Sequence, residues 1–168
     1  MAISMYQASA PRFVNMLNNL SAVLDKAQAH ADAKKIDSVV FASARLYPDM
    51  FPLMSQVRIA CDNAKGAVAR LAGVAIPKHE DTEQTFAELK ARIAKTVAFV
   101  QSIQPAQIDG TEDKEIVLKL GATEVKFNGM QYLLGFALPN FYFHVVTAYD
   151  ILRHSGVEIG KRDYIGNP

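Results

Sequence analysis

The stretch 129–156 constrains the fold more than any other part of the chain. It reads GMQYLLGFALPNFYFHVVTAYDILRHSG, and no formally charged residue occurs between Lys126 and Asp150. A chain of 168 residues needs an apolar helix against which its other helices can pack, and this stretch predicts that helix. Pro139 removes one helical hydrogen bond, so we expect a kink or break at 135–139. The residues expected to face the core are Met130, Leu134, Ala137, Phe141, Val145, Ala148 and Leu152.

Three earlier stretches also have the helical period, because their apolar residues recur at steps of three and four. The first spans 10–31, and the second begins at Pro52 and ends at Gly73. The third is expected to be capped by Asp81 or Thr82 and to stop before Pro105. Together with 129–156, these stretches predict four long helices.

The apolar period changes between the third and the last helix. The runs 115–120 and 123–127 have the alternation of β-strands and flank Gly121-Ala122, which predicts a β-hairpin. A lone hairpin is marginally stable in water, so it should lie against the helices. The sequence therefore predicts an all-α fold: an up-down four-helix bundle, with a small β-hairpin before the last helix, in a single domain over 1–168.

The charge and the cysteine content bear on partners and location. The formal net charge is +1 and the basic residues are scattered, so we expect no nucleic acid partner. Cys61 is the single cysteine, which excludes an internal disulfide and is typical of a reducing cytoplasm. The segment 127–149 is long enough to span a bilayer, but it contains Asn140 and His144, so we expect no membrane partner.

Four segments resemble one bacterial family. They are RLYPDMFPL at 45–53, QVRIACDNAKGAVARLAG at 56–73, LLGFALPNFYFHVVTAYDILRHSGV at 133–157 and GKRDYIG at 160–166. The family is the domain of unknown function numbered nineteen ninety-three, in the DinB/YfiT-like superfamily. The resemblance covers essentially the whole chain and implies a four-helix bundle.

The superfamily resemblance also implies a place for a site. Many members resemble metal-binding bundles with one histidine on the second helix and two, spaced four apart, on the last. Some are thiol-dependent transferases or isomerases that use bacillithiol, mycothiol or glutathione. Matching 152–156 to the end of the superfamily's last helix places His144 on its second histidine, Asn140 on its first, and Gln56 near the second-helix ligand. One ligand of three is kept, and a Gln/Asn/His set binds transition metals poorly, so we predict no metal or other cofactor.

Asn140 and His144 lie one helical turn apart and share a face. In one interpretation they form, with Gln56 opposite, the polar floor of a pocket. In the other they are a hydrogen-bonded pair that satisfies backbone carbonyls freed by Pro139. The predicted pocket walls are Met54, Phe141 and Phe143.

A neighbouring face carries Tyr142, Tyr149 and Arg153. Tyrosine and arginine are enriched at interfaces, which favours a homodimer contact over an anionic or aromatic ligand there. A third, structural interpretation is that this face acts by dimerisation and that the pocket is packed shut.

Two functions are consistent with these residues. The first is a small-molecule-binding or interaction protein, homodimeric and cytoplasmic. The alternative is an atypical metal- or thiol-dependent transferase with His144 as ligand or general base. An enzyme would need His144 to reach an open cavity beside a second polar group.

Overall fold

Four long helices and several short elements make up the chain. The computed structural model describes residues 3–166, and of Leu120 it describes the backbone only. The elements are α1 Met5–Ala8, α2 Ala10–Lys34, α3 Ser38–Ser43, α4 Leu53–Ala72, α5 Phe86–Ser102, α6 Pro105–Ile108, β1 Glu115–Leu120, β2 Thr123–Asn128, α7 Gly129–Tyr132, a π-helical turn Leu133–Ala137, α8 Leu138–His154 and α9 Lys161–Ile165. The predicted bundle with a hairpin before its last helix is confirmed.

The core lies between α2, α4, α5 and α8. Phe13 and Leu24 of α2 are fully buried, as are Val57 of α4 and Leu89 of α5. The ring of Phe13 meets the ring of Phe141 edge-on, with centroids 4.9 Å apart, and so joins α2 to α8. The apolar stripes read from the sequence therefore face one another across a single core.

The start of α5 differs from the prediction. The helix begins at Phe86, where Thr85 and Glu88 form a capping box: each side chain accepts a hydrogen bond from the other residue's backbone N–H. This pair satisfies two N–H groups that the first turn would otherwise leave free. Asp81 and Thr82, the predicted caps, lie in the connector before the helix.

The hairpin has the predicted strands and lies against the last helix. β1 and β2 pair antiparallel, with Ile116 opposite Phe127. Ile116 is buried, and the ring of Phe127 lies 6.2 Å from that of Tyr132 and 5.6 Å from that of Phe136. These contacts bury the inner face of the hairpin, which a two-stranded sheet needs for stability.

The expected kink near Pro139 takes the form of the π-helical turn Leu133–Ala137. Leu138 donates its backbone N–H to the carbonyl of Leu133, five residues earlier. The wider turn changes which residues face inwards on its N-terminal side. Met130 and Leu134 were expected in the core but are 45% and 53% exposed. None of the helices within 3–166 has the length and apolar character to cross a membrane.

Candidate functional site

Gln56 and His144 meet across the interface between α4 and α8. Gln56 Oε1 lies 2.7 Å from His144 Nδ1, and Gln56 Nε2 donates to the carbonyl of Phe51 at 3.0 Å. A backbone carbonyl can only accept, so the amide orientation is fixed and its oxygen faces the imidazole. Nδ1 of His144 must therefore carry the proton, which leaves Nε2 as the nitrogen with a free lone pair.

His144 is half-buried, whereas Gln56 is 1% exposed. Burial lowers the pKa of His144 below its ordinary value of 6.5, so the ring is neutral at pH 7. The described residues give Nε2 no hydrogen-bond partner. A neutral imidazole held in one tautomer can accept a hydrogen bond or take a proton.

The side-chain amide of Asn140 is hydrogen-bonded within its own helical segment. Its Nδ2 donates to the carbonyl of Phe136 at 2.8 Å, within the π-helical turn. This is the structural role considered for Asn140, because Pro139 disturbs the backbone bonding of this region. The structure thus joins Gln56 to His144 but directs the amide nitrogen of Asn140 elsewhere.

Two of the residues predicted as pocket walls pack in the core or line another cleft. Phe141 is fully buried and packs on Phe13, which places it in the core. Met54 is half-buried and lines a shallow cleft with Val39 and Arg58. Sequence spacing alone could not show that Phe141 belongs to the core or that Met54 lies at a neighbouring surface cleft.

Two phenylalanines with exposed side chains contact the polar pair, one through its ring and one through its backbone carbonyl. Phe143, the third predicted wall, is 57% exposed, and its ring meets that of His144 edge-on at 5.3 Å. Phe51 is 59% exposed, and its carbonyl is the group that holds the amide of Gln56. Sequence reasoning missed Phe51, although its place directly before Pro52 and the first turn of α4 could have indicated it.

These residues do not fit the metal site that the superfamily resemblance implies. His144 supplies one imidazole, and both amide atoms of Gln56 are already hydrogen-bonded. Residues 3–166 contain no group of three or more His, Cys, Asp or Glu side chains placed to hold a metal ion. Transition metals bind imidazole, thiolate and carboxylate in preference to amides, so this donor set is unsuitable.

The face predicted for a dimer contact is partly covered by the chain itself. Tyr142 and Tyr149 are half-buried, and the ring of Tyr149 lies 6.2 Å from that of Tyr164 in α9. Burial also raises the pKa of Tyr142. Arg153 is exposed at the end of α8. A partner could therefore reach Arg153 more readily than the two tyrosine rings.

Large apolar side chains are also exposed along residues 130–146. They are Met130 at 45%, Leu134 at 53%, Phe143 at 57% and Val146 at 37% exposure, and we call them the apolar face. Sequence reasoning assigned the first two to the core because it assumed α-helical periodicity through the π-helical turn. A run of exposed apolar residues along one helix is typical of an interaction surface.

A buried ion cluster lies between α4, α5 and the connector that joins them. The Arg92 side chain is 1% exposed and contacts Asp62 and Asp81 at 2.9 Å and Glu83 at 3.1 Å. Burial works against ionisation of Glu83, but hydrogen bonds from its own backbone and from Arg92 and Arg58 outweigh it and lower the pKa. The cluster ties the connector to both helices, which is a structural role.

The single cysteine is not a nucleophile in this setting. Cys61 is fully buried, and burial raises the pKa of its thiol to about 12, with a smaller opposing effect of a hydrogen bond with Thr96. The thiol is therefore protonated at neutral pH, as expected for a cysteine that acts as a small apolar residue.

The bundle, the hairpin before its last helix and the polar pair between α4 and α8 define a DinB-like four-helix-bundle protein. The chain belongs to the family described as Domain of unknown function (DUF1993), which matches residues 5–165. It is also similar to the crystal structure of a DinB family member protein from Shewanella denitrificans. The identity is 42%, the similarity covers 97% of this chain and 92% of that one, and the TM-score is 0.88. None of the curated proteins matches. The predicted family and superfamily are thereby confirmed.

Proposed function

We propose that this protein binds a small molecule through Nε2 of His144, in the bacterial cytoplasm and as a homodimer. The observation that carries the proposal is the 2.7 Å hydrogen bond from His144 Nδ1 to Gln56 Oε1. It fixes the tautomer and the ring orientation, so the remaining lone pair has a defined direction. A preorganised acceptor of this kind binds a donor with less loss of entropy than a freely rotating side chain.

The neighbouring residues indicate the chemistry of the ligand. The ring of Phe143 meets that of His144 edge-on, and the backbone carbonyl of Phe51, whose side chain is also exposed, holds the amide of Gln56. Aromatic side chains together with a few fixed polar groups are typical of the lining of sites for small organic ligands. We therefore propose a ligand with a flat apolar body and one hydrogen-bond donor.

Phenol and anisole test this proposal as a matched pair of probes. Both have an aromatic ring, but only phenol has a donor for Nε2. Titration of ¹⁵N-labelled protein should shift the His144 Nε2 resonance with phenol, with a Kd on the order of millimolar for so small a ligand. Anisole should bind at least about tenfold more weakly, since it leaves the acceptor unpaired.

Variants separate this site from general apolar binding. Phe143→Ala should weaken phenol binding, whereas Leu134→Ala, an equally exposed position on the same face, should leave it unchanged. Equal binding of phenol and anisole, or no saturable shift at His144, would refute the proposal. Both substituted side chains are more than half exposed, so both variants should fold.

The homodimer part of the proposal has two candidate faces along 129–154. The apolar face, with Met130, Leu134 and Phe143, has the exposure that a self-association surface needs. The face with Tyr142, Tyr149 and Arg153 has a favourable composition, but α9 covers part of it. We propose that the apolar face forms the contact between two copies.

A thiol-dependent transferase is the second candidate function, and the neutral state of His144 favours it. In such a reaction Nε2 would take the proton of a thiol, and the thiolate would attack an electrophilic carbon. Glutathione and iodoacetamide provide a simple test: a carbon–sulfur bond forms, the carbon–iodine bond breaks and iodide leaves. Acceleration by the wild-type protein and not by His144→Ala would support the transferase, and equal rates would exclude His144 as its base.

A further inference from the structure

A second polar contact joins the C-terminal end of α4 to α7. Arg70, in the last turn of α4, is about 21 Å further along the helix than Gln56 at 1.5 Å per residue. Its Nη1 donates to the hydroxyl of Tyr132 at 3.1 Å, and its Cζ lies 5.9 Å from the centre of that ring. Tyr132 is buried and therefore holds the guanidinium in place.

Gly66 provides the space that the guanidinium occupies. A Cβ atom added at Gly66 would lie 2.5 Å from Arg70 Nη1, closer than such atoms can approach. The three atoms nearest to it all belong to the guanidinium group of Arg70. Glycine is unfavourable inside a helix. Here its effect is to let Arg70 fold back over the preceding turn of α4.

The guanidinium of Arg70 is not neutralised by a carboxylate. Among the described residues, its hydrogen-bond partner is the Tyr132 hydroxyl, and no acidic oxygen lies within ion-pair distance. Asp62 is the acidic residue that lines the same cleft, but Arg92 and Lys65 engage its Oδ1 at 2.9 and 2.8 Å. Most N–H groups of Arg70 are therefore available to another acceptor.

Arg70 lines a cleft of about 450 Å³ between α4, the hairpin and the π-helical turn. Its apolar lining includes Ile59, Val117 and Phe136, and Asn63 contributes an amide. A guanidinium beside apolar walls suits a carboxylate attached to an apolar group, because the planar fork can bind both carboxylate oxygens. The volume is within the range of small-molecule sites.

We propose that this cleft binds a small organic carboxylate, with Arg70 as the anion contact and Phe136 and Ile59 as the apolar wall. The site lies apart from the His144 site, and neither His144 nor the apolar face takes part in it. This proposal can therefore be tested independently of the function proposed above.

Benzoate and benzamide are the probes for this site. They have the same ring and nearly the same shape, but only benzoate carries a charge. In ¹H–¹⁵N NMR titrations of the full chain, benzoate should shift the side-chain Nε–H of Arg70 and the amide of Asn63 in a saturable manner. Benzamide should bind at least about tenfold more weakly, because it lacks the charge-assisted hydrogen bonds. Equal binding of the two probes, or no saturable shift with benzoate, would overturn the proposal.

Gly66→Ala is the decisive variant, because it displaces the guanidinium without removing its charge. Alanine is favoured over glycine in a helix by about 1 kcal/mol, which offsets the loss of the Arg70–Tyr132 hydrogen bond, so the variant should fold and melt near the wild-type temperature. It should nevertheless bind benzoate at least about tenfold more weakly, as should Arg70→Gln. If Arg70 served only the stability of the α4 C-terminus, Gly66→Ala would bind benzoate as the wild type does. That result would place the anion elsewhere and refute the assignment.

Discussion

The amide oxygen of Gln56 accepts a hydrogen bond from Nδ1 of His144, although 88 positions separate the two residues in the sequence. Gln56 is almost fully buried, and its nitrogen is held by the carbonyl of Phe51. Both ends of one amide are thus satisfied by groups from different parts of the fold. A buried polar group satisfied in this way becomes destabilising as soon as one partner is removed.

Replacement of His144 by alanine should therefore destabilise the protein. The Gln56 oxygen would lose its partner, and we expect a decrease of about 1–3 kcal/mol in the free energy of unfolding. Urea denaturation followed by circular dichroism measures this change. His154→Ala is the matched control, since His154 is exposed on the same helix and its removal should change stability by less than about 0.5 kcal/mol. Equal stability of the two variants would mean that solvent already satisfies Gln56.

The pKa of His144 should be lower than that of an exposed histidine. Burial lowers its pKa below 6.5, so the folded protein binds this proton less readily than the unfolded chain. The neutral ring therefore contributes fully to the stability of the folded protein above pH 6.5. This contribution is lost as the pH drops from 6.5 through the lowered pKa. An NMR titration of the His144 Cε1–H resonance should have its midpoint below 6.5. A midpoint at or above that value would contradict the buried setting.

Loss of the buried guanidinium of Arg92 should be among the more damaging single changes. Arg92→Met would remove the cation that Asp62, Asp81 and Glu83 share. Glu83 keeps Arg58 and Asp62 keeps Lys65, so we expect a loss of about 1–3 kcal/mol. Lys95→Met is the control, because Lys95 is an exposed cation on the same helix. Thermal or urea unfolding of the pair measures the difference. If both variants had the same stability, the ion cluster would contribute nothing beyond surface charge.

The hairpin should detach locally when its aromatic anchor is removed. Phe127→Ser would remove the ring contacts with Tyr132 and Phe136 and should lower stability by about 2 kcal/mol. Hydrogen exchange of the β1 and β2 amides should become faster, because these strands rely on that packing. Val117→Ser, on the opposite and partly exposed face, should have a smaller effect. Unchanged exchange in Phe127→Ser would show that the hairpin does not depend on this contact.

Sedimentation velocity should distinguish the two proposed dimer faces. Leu134→Glu places a charge on the apolar face and should convert the dimer to a monomer, since an unpaired charge is unfavourable in an apolar contact. Tyr149→Asp, fifteen residues further along, should loosen the packing on Tyr164 and leave sedimentation unchanged. The opposite pair of results would assign the contact to Tyr142, Tyr149 and Arg153. A wild-type protein that sediments as a monomer would refute both faces.

The bundle could be predicted from the sequence because burial imposes a simple period on long helices. Phe13, Leu24 and Val57 all fall where that period places them. The start of α5 was predicted too early, because Asp81 and Thr85 both belong to residue types that cap helices. In the structure Asp81 forms an ion pair with Arg92 instead of capping the helix, and Thr85 is the cap.

The candidate sites were only partly predictable. The resemblance to the superfamily matched Gln56 and His144 to two of its metal-ligand positions. The structure brings these two residues into contact. The roles of Arg92 and Arg70 could not be read from local spacing, because each depends on partners many residues away. A charged residue on a helix looks the same in sequence whether it faces solvent or a buried carboxylate.

The π-helical turn at Leu133–Ala137 has a consequence for how 129–154 packs on α4. The Arg70–Tyr132 contact lies on its N-terminal side and the Gln56–His144 contact on its C-terminal side. A π-helical turn contains one residue more than an α-helical turn, so deleting one residue there, for example Gly135, should leave a regular α-helical turn and keep both contacts. The same deletion within α8 would rotate one side against the other by about 100°. The turn can therefore gain or lose a residue without taking either end of the segment out of phase with α4.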